Sequence, residues 1–487
     1  GHPGGTIFEA NCNCRFAKNY PWAYAPRTGL SYQVLPKTVL RAAFGMSYST
    51  SQGGGQGAAG ANASFTSPTF GDPAMVLSQG IPIKPVWPDL RVNLYPTSGT
   101  TGAPPVVDQN YGRPARLWQW NVGLQREITR DLVVEASYVG NRGVWWRTAS
   151  LVDYNPLTPE SLLKNYGLDW NNPADRTILA AQVNSPAAGR FQNKLPFSGF
   201  TGTVAQSLRP FPQFNAGLAP LWSPLGKAWY DSLQAKVTKR FSQGLDFTYA
   251  FTWAKELDNF SSGSFDVQNR PLFKSLSSNS RPFVNGLGFN YRLQPWGKNK
   301  IMSLAVRDWE LGGFMQYASA LPIAAPAATT TPALGNVVFQ STVQNRVAGQ
   351  SPFAVDLNCH CFDPNTTFVL NKDAWANPAA GQYGGSVYYN DYRQQRHPIE
   401  NLSLARAFRL REKVSLTIRM ELTNVFNRAF INIPTSTNPA TAQTRLTGTQ
   451  QTTAGFGFIN NATVNQGTFA TGGGQPRQGQ LVARFQF

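Results

Sequence analysis

Apolar and polar residues alternate with a period of two through several stretches of this chain. In 38–49, Leu40, Ala42, Phe44, Met46 and Tyr48 share one face, opposed by Arg41, Ala43, Gly45, Ser47 and Ser49. That period belongs to a β-strand with one apolar face. The unit returns. Trp118, Trp120, Val122 and Leu124 oppose Gln119, Asn121, Gly123 and Gln125, and past a turn at 129–131 Leu132, Val134, Ala136 and Tyr138 oppose Val133, Glu135, Ser137 and Val139. A third hairpin turns at 242–244, between a strand carrying Leu233, Ala235 and Val237 and one carrying Leu245, Phe247, Tyr249, Phe251 and Trp253. A less regular fourth pair takes in Leu287, Phe289, Tyr291 and Leu293, then 309–321. A fifth runs from Ile399 through a charged turn at 409–413 and returns with Val414, Leu416, Ile418, Met420 and Leu422. The last seven residues, Leu481-Val-Ala-Arg-Phe-Gln-Phe487, alternate once more and end on Phe487.

Between these hairpins the connections alternate in length. Short turns near 35–37, 129–131, 242–244 and 409–413 are followed by excursions of about 50–113, 141–227, 322–397 and 428–475. Connections of that length are idle ballast in a compact soluble domain, whereas outer-membrane barrels place short turns on the periplasmic side and long loops outside. The pattern predicts an all-β, transmembrane antiparallel barrel with long extracellular loops over 1–487; its odd count of about eleven strands points to part of a larger wall, with a self-contained barrel of ten or twelve strands as the alternative. Trp118, Trp120, Tyr138, Trp229, Tyr230, Trp253, Trp309 and Tyr317 are expected near strand ends, where an interfacial aromatic girdle sits. The competing reading, a soluble sandwich burying the same faces, leaves the alternation of turn lengths unexplained.

Composition sharpens this. Charged residues make up only 14% of the 487 residues, well under the ~25% of an average soluble domain. No apolar run approaches the ~18 residues that a membrane-crossing helix needs. The net charge of +18 comes from 43 Lys and Arg against 25 Asp and Glu. The cations are scattered along turns and polar faces rather than gathered on one stripe, which speaks against nucleic-acid binding and suits a basic lumen or anionic lipid head groups.

The inward polar set on this reading is Arg41, Gln119, Asn121, Gln125, Glu135, Lys236, Arg419 and Glu421, lining a wet or plug-filled lumen. No hydrolase, kinase or dinucleotide motif is present, so no enzyme and no cofactor are expected. The glycine runs at 53–55 and 472–474 lack the Lys-Ser/Thr ending of a phosphate loop. Four cysteines form two close pairs, Cys12-Asn-Cys14 and Cys359-His-Cys361. One intervening residue is tighter than a zinc knuckle uses, and an oxidising envelope favours disulfides, in a pairing that sequence does not give. Asn424 and Asn427, beside Phe426, are expected to cap the loop where the penultimate strand leaves the membrane. The aromatic, Asn-rich stretch 165–172, with Tyr166 and Trp170, suits either sugar or peptide recognition or packing of loop on loop.

Several segments resemble those of TonB-dependent outer-membrane receptors, most closely the Oar-like receptors of Acidobacteria. They are Ala25-Pro-Arg-Thr-Gly-Leu-Ser-Tyr32, Trp118-Gln-Trp-Asn-Val-Gly-Leu-Gln-Arg-Glu127, Glu135-Ala-Ser-Tyr-Val-Gly-Asn-Arg-Gly143, Tyr230-Asp-Ser-Leu-Gln-Ala-Lys236, Tyr249-Ala-Phe-Thr-Trp-Ala-Lys255, Tyr388-Tyr-Asn-Asp-Tyr392, Glu421-Leu-Thr-Asn-Val-Phe-Asn427 and the terminal Phe487. The resemblance implies the C-terminal part of a 22-stranded barrel in the Gram-negative cell outer membrane. Its implied partners are outer-membrane lipid, the barrel assembly machinery, a plug domain and the TonB system. Plug, regulatory β-sandwich and TonB-contacting segment are not recognisable within 1–487. The expected function is outer-membrane transport of an unidentified substrate as part of a larger receptor; the alternative is a passive pore or structural surface protein.

Overall fold

The computed structural model describes residues 18–49, 67–80, 106–148, 151–260, 267–294, 307–329, 342–379, 382–411, 414–460 and 476–487, apart from 68, 107, 216 and 268. Eleven strands follow one another in a single antiparallel sheet, each hydrogen-bonded to the next in chain order. They are β1 (Arg27–Leu35), β2 (Thr38–Tyr48), β3 (Arg116–Thr129), β4 (Leu132–Thr148), β5 (Ser223–Ser242), β6 (Leu245–Asp258), β7 (Phe283–Arg292), β8 (Trp309–Ala318), β9 (Ile399–Arg411), β10 (Val414–Thr423) and β11 (Gln478–Gln486). A two-residue strand at Ser275–Leu276 adds to the end of β6. Among the described residues β1 pairs only with β2, and β11 only with β10.

The register explains why the alternation matters. Residues directly opposite across an antiparallel ladder point to the same face. Leu40, Leu124, Ala136, Ala235 and Phe251 form one cross-strand row, and Ala42, Val122, Tyr138, Leu233, Trp253 and Phe283 form the next row on the same face. Further on, Leu404, Met420 and Leu481 continue that face. Leu40, Ala42, Ala235 and Phe251 are half-buried and the others exposed, Leu481 to 73%. The sheet therefore has an apolar face turned away from any protein core.

Tight turns fix the register. At 242–245 both central residues have positive φ, Gln243 at 52° and Gly244 at 83°, which is the geometry that matches strand twist in a two-residue hairpin. A Cβ on Gly244 would lie 2.4 Å from the Arg292 carbonyl oxygen, so only glycine fits there. The turn at 130–131 is held by Asp131, which accepts from Lys239, Ser242 and Thr129. Lys37 at the first turn pairs with Glu127 at 3.1 Å.

The strand boundaries depart from the sequence reading at one end of the sheet. β4 continues to Thr148 and β5 starts at Ser223, so both ends of the connection expected over 141–227 belong to the wall. Gly140, Gly143 and a bulge at Trp145 (φ 65°) interrupt the alternation without breaking the ladder. Leu293 falls just beyond β7, and β8 ends at Ala318 rather than 321.

The long connections fold into structure of their own. Segment 151–222 carries α1 (Pro159–Tyr166), α2 (Pro173–Ala180) and α3 (Val204–Ser207). Thr158 and Ser161 form a capping box at the start of α1, and Gly167, in the left-handed region, ends it. Leu157, Leu162, Leu168, Trp170, Leu179 and Ala205 bury one another beneath these helices. A second core draws Leu151, Phe273, Ile323, Val369, Trp375, Tyr392 and Phe456 from separate connections. All of these segments join strand ends opposite the short turns.

Candidate functional site: polar face and loop-bearing rim

The polar face is built from the residues that alternate with the apolar rows. Gln125, Glu135 and Lys236 face one another directly across β3, β4 and β5. Arg41 lies in the adjoining row with Gly123, Ser137, Gln234 and Thr252. Asn121 follows opposite Ala43, and Gln119 opposite Gly45. At the other side of the sheet Arg419 and Glu421 stand 3.6 Å apart on the same face. The structure thus places all eight expected inward residues on one face. It also adds two that the sequence reading did not connect. Glu310 lies 3.4 Å from Arg292 and 3.9 Å from Arg419, making a four-residue charge network near the short-turn end of β7–β10. Single-sequence alternation gives the face of each residue but not the register that brings them together.

This face is not uniformly polar. Phe314 is paired with Gly288 and Asn401, Ile399 with Gln316, and Val284 with Ala318 and Thr252, all on the polar side. Phe314 remains 47% exposed. A Cβ on Gly286 or Gly288 would meet nothing within 4 Å. A shallow apolar patch therefore opens on the inner surface beside the charge network. Tyr230, expected in the aromatic girdle, is also on the polar face, in the row of Gln119, Asn141 and Glu256. Tyr138 sits in the middle of β4 rather than near its end. Alternation within β5 puts Tyr230 in phase with Ser232 and Gln234; the girdle expectation followed its aromatic ring and its place beside Trp229 rather than its phase.

Toward the loop-bearing rim the apolar face gives way to ions. Asp231, opposite Gly140 and Lys255, takes both oxygens to the Arg142 guanidinium at 3.1 and 3.0 Å and accepts from Tyr138 at 2.5 Å. Trp120 lies over Gly140, where a Cβ would come within 2.6 Å of the indole; the Arg142 guanidinium stands 5.3 Å from the same ring. A second ionic group closes the far side. Glu400, 1% exposed, accepts from Arg428 at 2.6 and 2.9 Å and from Tyr317 at 2.7 Å. The hydrogen bond from Arg428 raises the guanidinium pKa further, so this cation stays charged at any working pH. Asp231 was visible in the sequence as a charge in phase with Leu233, and Glu400 as one in phase with Leu402.

Asn424 and Asn427 hold the exit of β10. Both have positive φ, 47° and 51°. The Asn424 side chain accepts from the Arg428 N–H at 2.8 Å and donates to its carbonyl at 3.0 Å, while Asn427 accepts from the Arg477 N–H at 2.9 Å. Cys359 and Cys361 are joined to each other, with Cα atoms 5.1 Å apart, so neither sulfur is a free thiolate ligand. His360 between them lines a cavity of about 380 Å³ with Tyr317, Arg396, Arg428 and Phe430. Cys12 and Cys14 lie outside the described residues. Trp170, in the stretch weighed for recognition, is 2% exposed and belongs to the helical core; packing of loop on loop accounts for it. Phe487 follows β11 and is exposed, its ring 6.2 Å from that of Phe485.

A family model described as an outer membrane beta barrel domain matches residues 3–480. No curated protein matches. Among solved structures, the FpvAI–pyocin S2 complex shares 10% identity at a TM-score of 0.37, covering 95% of this chain and 33% of that one. The unliganded ferric citrate transporter FecA shares 9% at 0.36, covering 95% and 37%. The pyoverdine outer membrane receptor FpvA from Pseudomonas aeruginosa PAO1, bound to pyoverdine, shares 9% at 0.34, covering 84% and 32%. The chain spans about a third of the length of these structures.

Proposed function

Given that the chain belongs to the outer membrane β-barrel family, we propose that residues 1–487 form the C-terminal portion of the barrel of a TonB-dependent receptor of the Oar-like type. Its work is transport of a substrate across the outer membrane. The apolar face meets lipid, and the polar face meets the lumen. An unpaired strand edge has no hydrogen-bond partner in hydrocarbon, so the outer edges of β1 and β11 require further strands to complete the wall. The plug and the TonB-contacting segment are supplied from outside 1–487. Lipid, the barrel assembly machinery and the TonB system are the partners this assigns, with neither enzymatic chemistry nor a resident cofactor.

The observation that carries a plugged receptor over a passive pore is the apolar patch at Phe314, Ile399 and Val284 on the lumen side. Exposed apolar side chains in a water-filled channel gain nothing, whereas against a protein plug they bury area worth ~25 cal/mol per Å². The adjoining Glu310, Arg292, Arg419 and Glu421 network offers both signs of charge to such a partner. The test is the mass and N-terminal sequence of the native polypeptide from purified outer membranes. A product hundreds of residues longer that carries a plug is expected. A native product that begins near Gly1 and folds by itself as a closed, heat-modifiable barrel overturns the proposal in favour of a pore or surface scaffold.

A further inference from the structure

Above the Arg142–Asp231 pair the lipid-side face of the wall carries a second, more basic feature. Trp118, Arg142, Trp229 and Leu257 form the next row toward the loops, and Arg116, Val144 and Lys227 the row beyond it. By alternation these side chains share the face of Val122, Tyr138 and Leu233. The bulge at Trp145 turns its indole back over this surface. There Arg113 stands 3.7 Å and Arg116 4.1 Å from the ring. Arg116 also lies 4.3 Å from the Trp118 ring, and Lys274 4.4 Å from that of Trp229. Arg270 comes in from the 270–274 segment and donates to the Leu151 carbonyl at 2.9 Å. Together they enclose an open cavity of about 530 Å³.

Five cations line that cavity: Arg113, Arg116, Lys227, Arg270 and Lys274. None forms an ion pair among the described residues, although every other charged cluster of the wall described above is matched with acids. Arg116 Nε is buried without a hydrogen-bond partner. Ring contacts hold Arg113, Arg116 and Lys274 in place, but they leave five like charges unneutralised beside one another, which repel. Such an excess is what a polyanion with an apolar base requires. The position selects which polyanion. The site begins two rows outside the last purely apolar row of a lipid-facing surface, beyond the row of Trp120, Gly140 and Asp231, on the side of the long loops, and so at head-group level of the outer leaflet. Basic pockets flanked by interfacial indoles at that level take lipid phosphates.

We propose that this cavity binds the phosphorylated sugar head group of an outer-leaflet glycolipid, with Arg116, Lys227 and Lys274 contacting phosphate and Trp145 and Trp229 packing against sugar or proximal acyl chain. The bound lipid fixes the β3–β5 rim and the 270–274 segment to the membrane.

The test is native mass spectrometry of the full-length protein in detergent, offered three probes: bisphosphorylated lipid A, the same lipid dephosphorylated, and inorganic phosphate. Bisphosphorylated lipid A is expected to remain as a stoichiometric adduct, and the other two are not. In the Arg116→Ala/Lys274→Ala variant, affinity should fall about thirtyfold, as expected for two interfacial cations. Arg116→Lys/Lys274→Arg should restore it, with heat-modifiable migration reporting that each variant is folded. Equal retention of the dephosphorylated lipid, or full affinity in a folded double alanine variant, overturns the proposal. Displacement of lipid A by equimolar inorganic phosphate makes this a free-anion site and overturns it equally; these comparisons on the unmodified protein stand even if the alanine variant does not assemble.

Discussion

The wall and the loop cap are two answers to two solvents within one chain. In the wall, large apolar residues such as Val122, Leu233, Trp253, Leu404 and Met420 are exposed, and the strands are held by their ladders and by what surrounds them. In the cap, Trp170, Tyr392, Phe214 and Phe273 are almost wholly enclosed, as in an ordinary water-soluble domain. The same residue types thus stabilise by facing lipid in one region and by leaving water in the other. Their sequence patterns differ accordingly. The wall reads as strict alternation, the cap as irregular clusters closed by caps and turns.

The largest separation of the two regions should come from Trp170→Ala. Removing a fully buried indole typically costs ~3–5 kcal/mol, and here the loss falls on the α1–α2 core alone. Limited proteolysis should cut within 151–222 while heat-modifiable migration of the barrel is unchanged; simultaneous loss of both would merge wall and cap into one cooperative unit. Next comes the wall's own sensitivity. Val122→Arg, in the middle of the apolar face, should cost ~2–4 kcal/mol in lipid, whereas Thr252→Arg on the polar face should stay within about 0.5 kcal/mol. Equilibrium refolding into vesicles measures both, and equal costs would erase the distinction between the faces.

At the seam between the regions, Arg428→Gln strands the buried Glu400 carboxylate with Tyr317 as its remaining side-chain donor among the described residues. A cost of about 2 kcal/mol is expected, read as increased hydrogen exchange at the start of β9. The smallest effect is at the opposite rim. Asp131 is held well below the usual carboxylate range, first by its hydrogen bond from Lys239, then by those from Ser242 and Thr129. A depressed carboxyl adds stability above the unfolded-state pKa of ~3.9, and that stability fades as pH falls through and below it. Stability from this turn should therefore be flat from neutral pH to about 5 and decline in acid. Asp131→Asn should lower the plateau slightly and remove that part of the acid limb, as followed by denaturant titration at several pH values.

Much of the wall was legible because alternation needs only local sequence. The faces of Arg41, Gln119, Asn121, Gln125, Glu135, Lys236, Arg419 and Glu421 followed from their apolar neighbours, and the short turns from Gly244 and the charged pairs. Legibility failed where a long-range partner decides the outcome. Residues 144–148 and 223–227 lost their alternation to the Trp145 bulge and Pro224, yet pair with each other across β4 and β5. The gathering of Phe314 with Ile399 and Val284, and of Glu310 with Arg419, depends on register between strands. The cap was read only as loop, because its cores gather single residues such as Leu151, Val369 and Phe456 from segments far apart in sequence.

The central claim is that one face of this sheet meets lipid and the other meets the lumen. The most direct measurement is a spin-label scan along β5 from Leu233 to Lys239 in the native protein in bilayers, comparing collision with oxygen and with a water-soluble nickel complex. The account predicts that labels at 233, 235 and 237 favour oxygen and those at 234, 236 and 238 favour nickel or are shielded from both. Loss of the two-residue alternation, or protection of both sets from oxygen as in a buried sandwich, would contradict it.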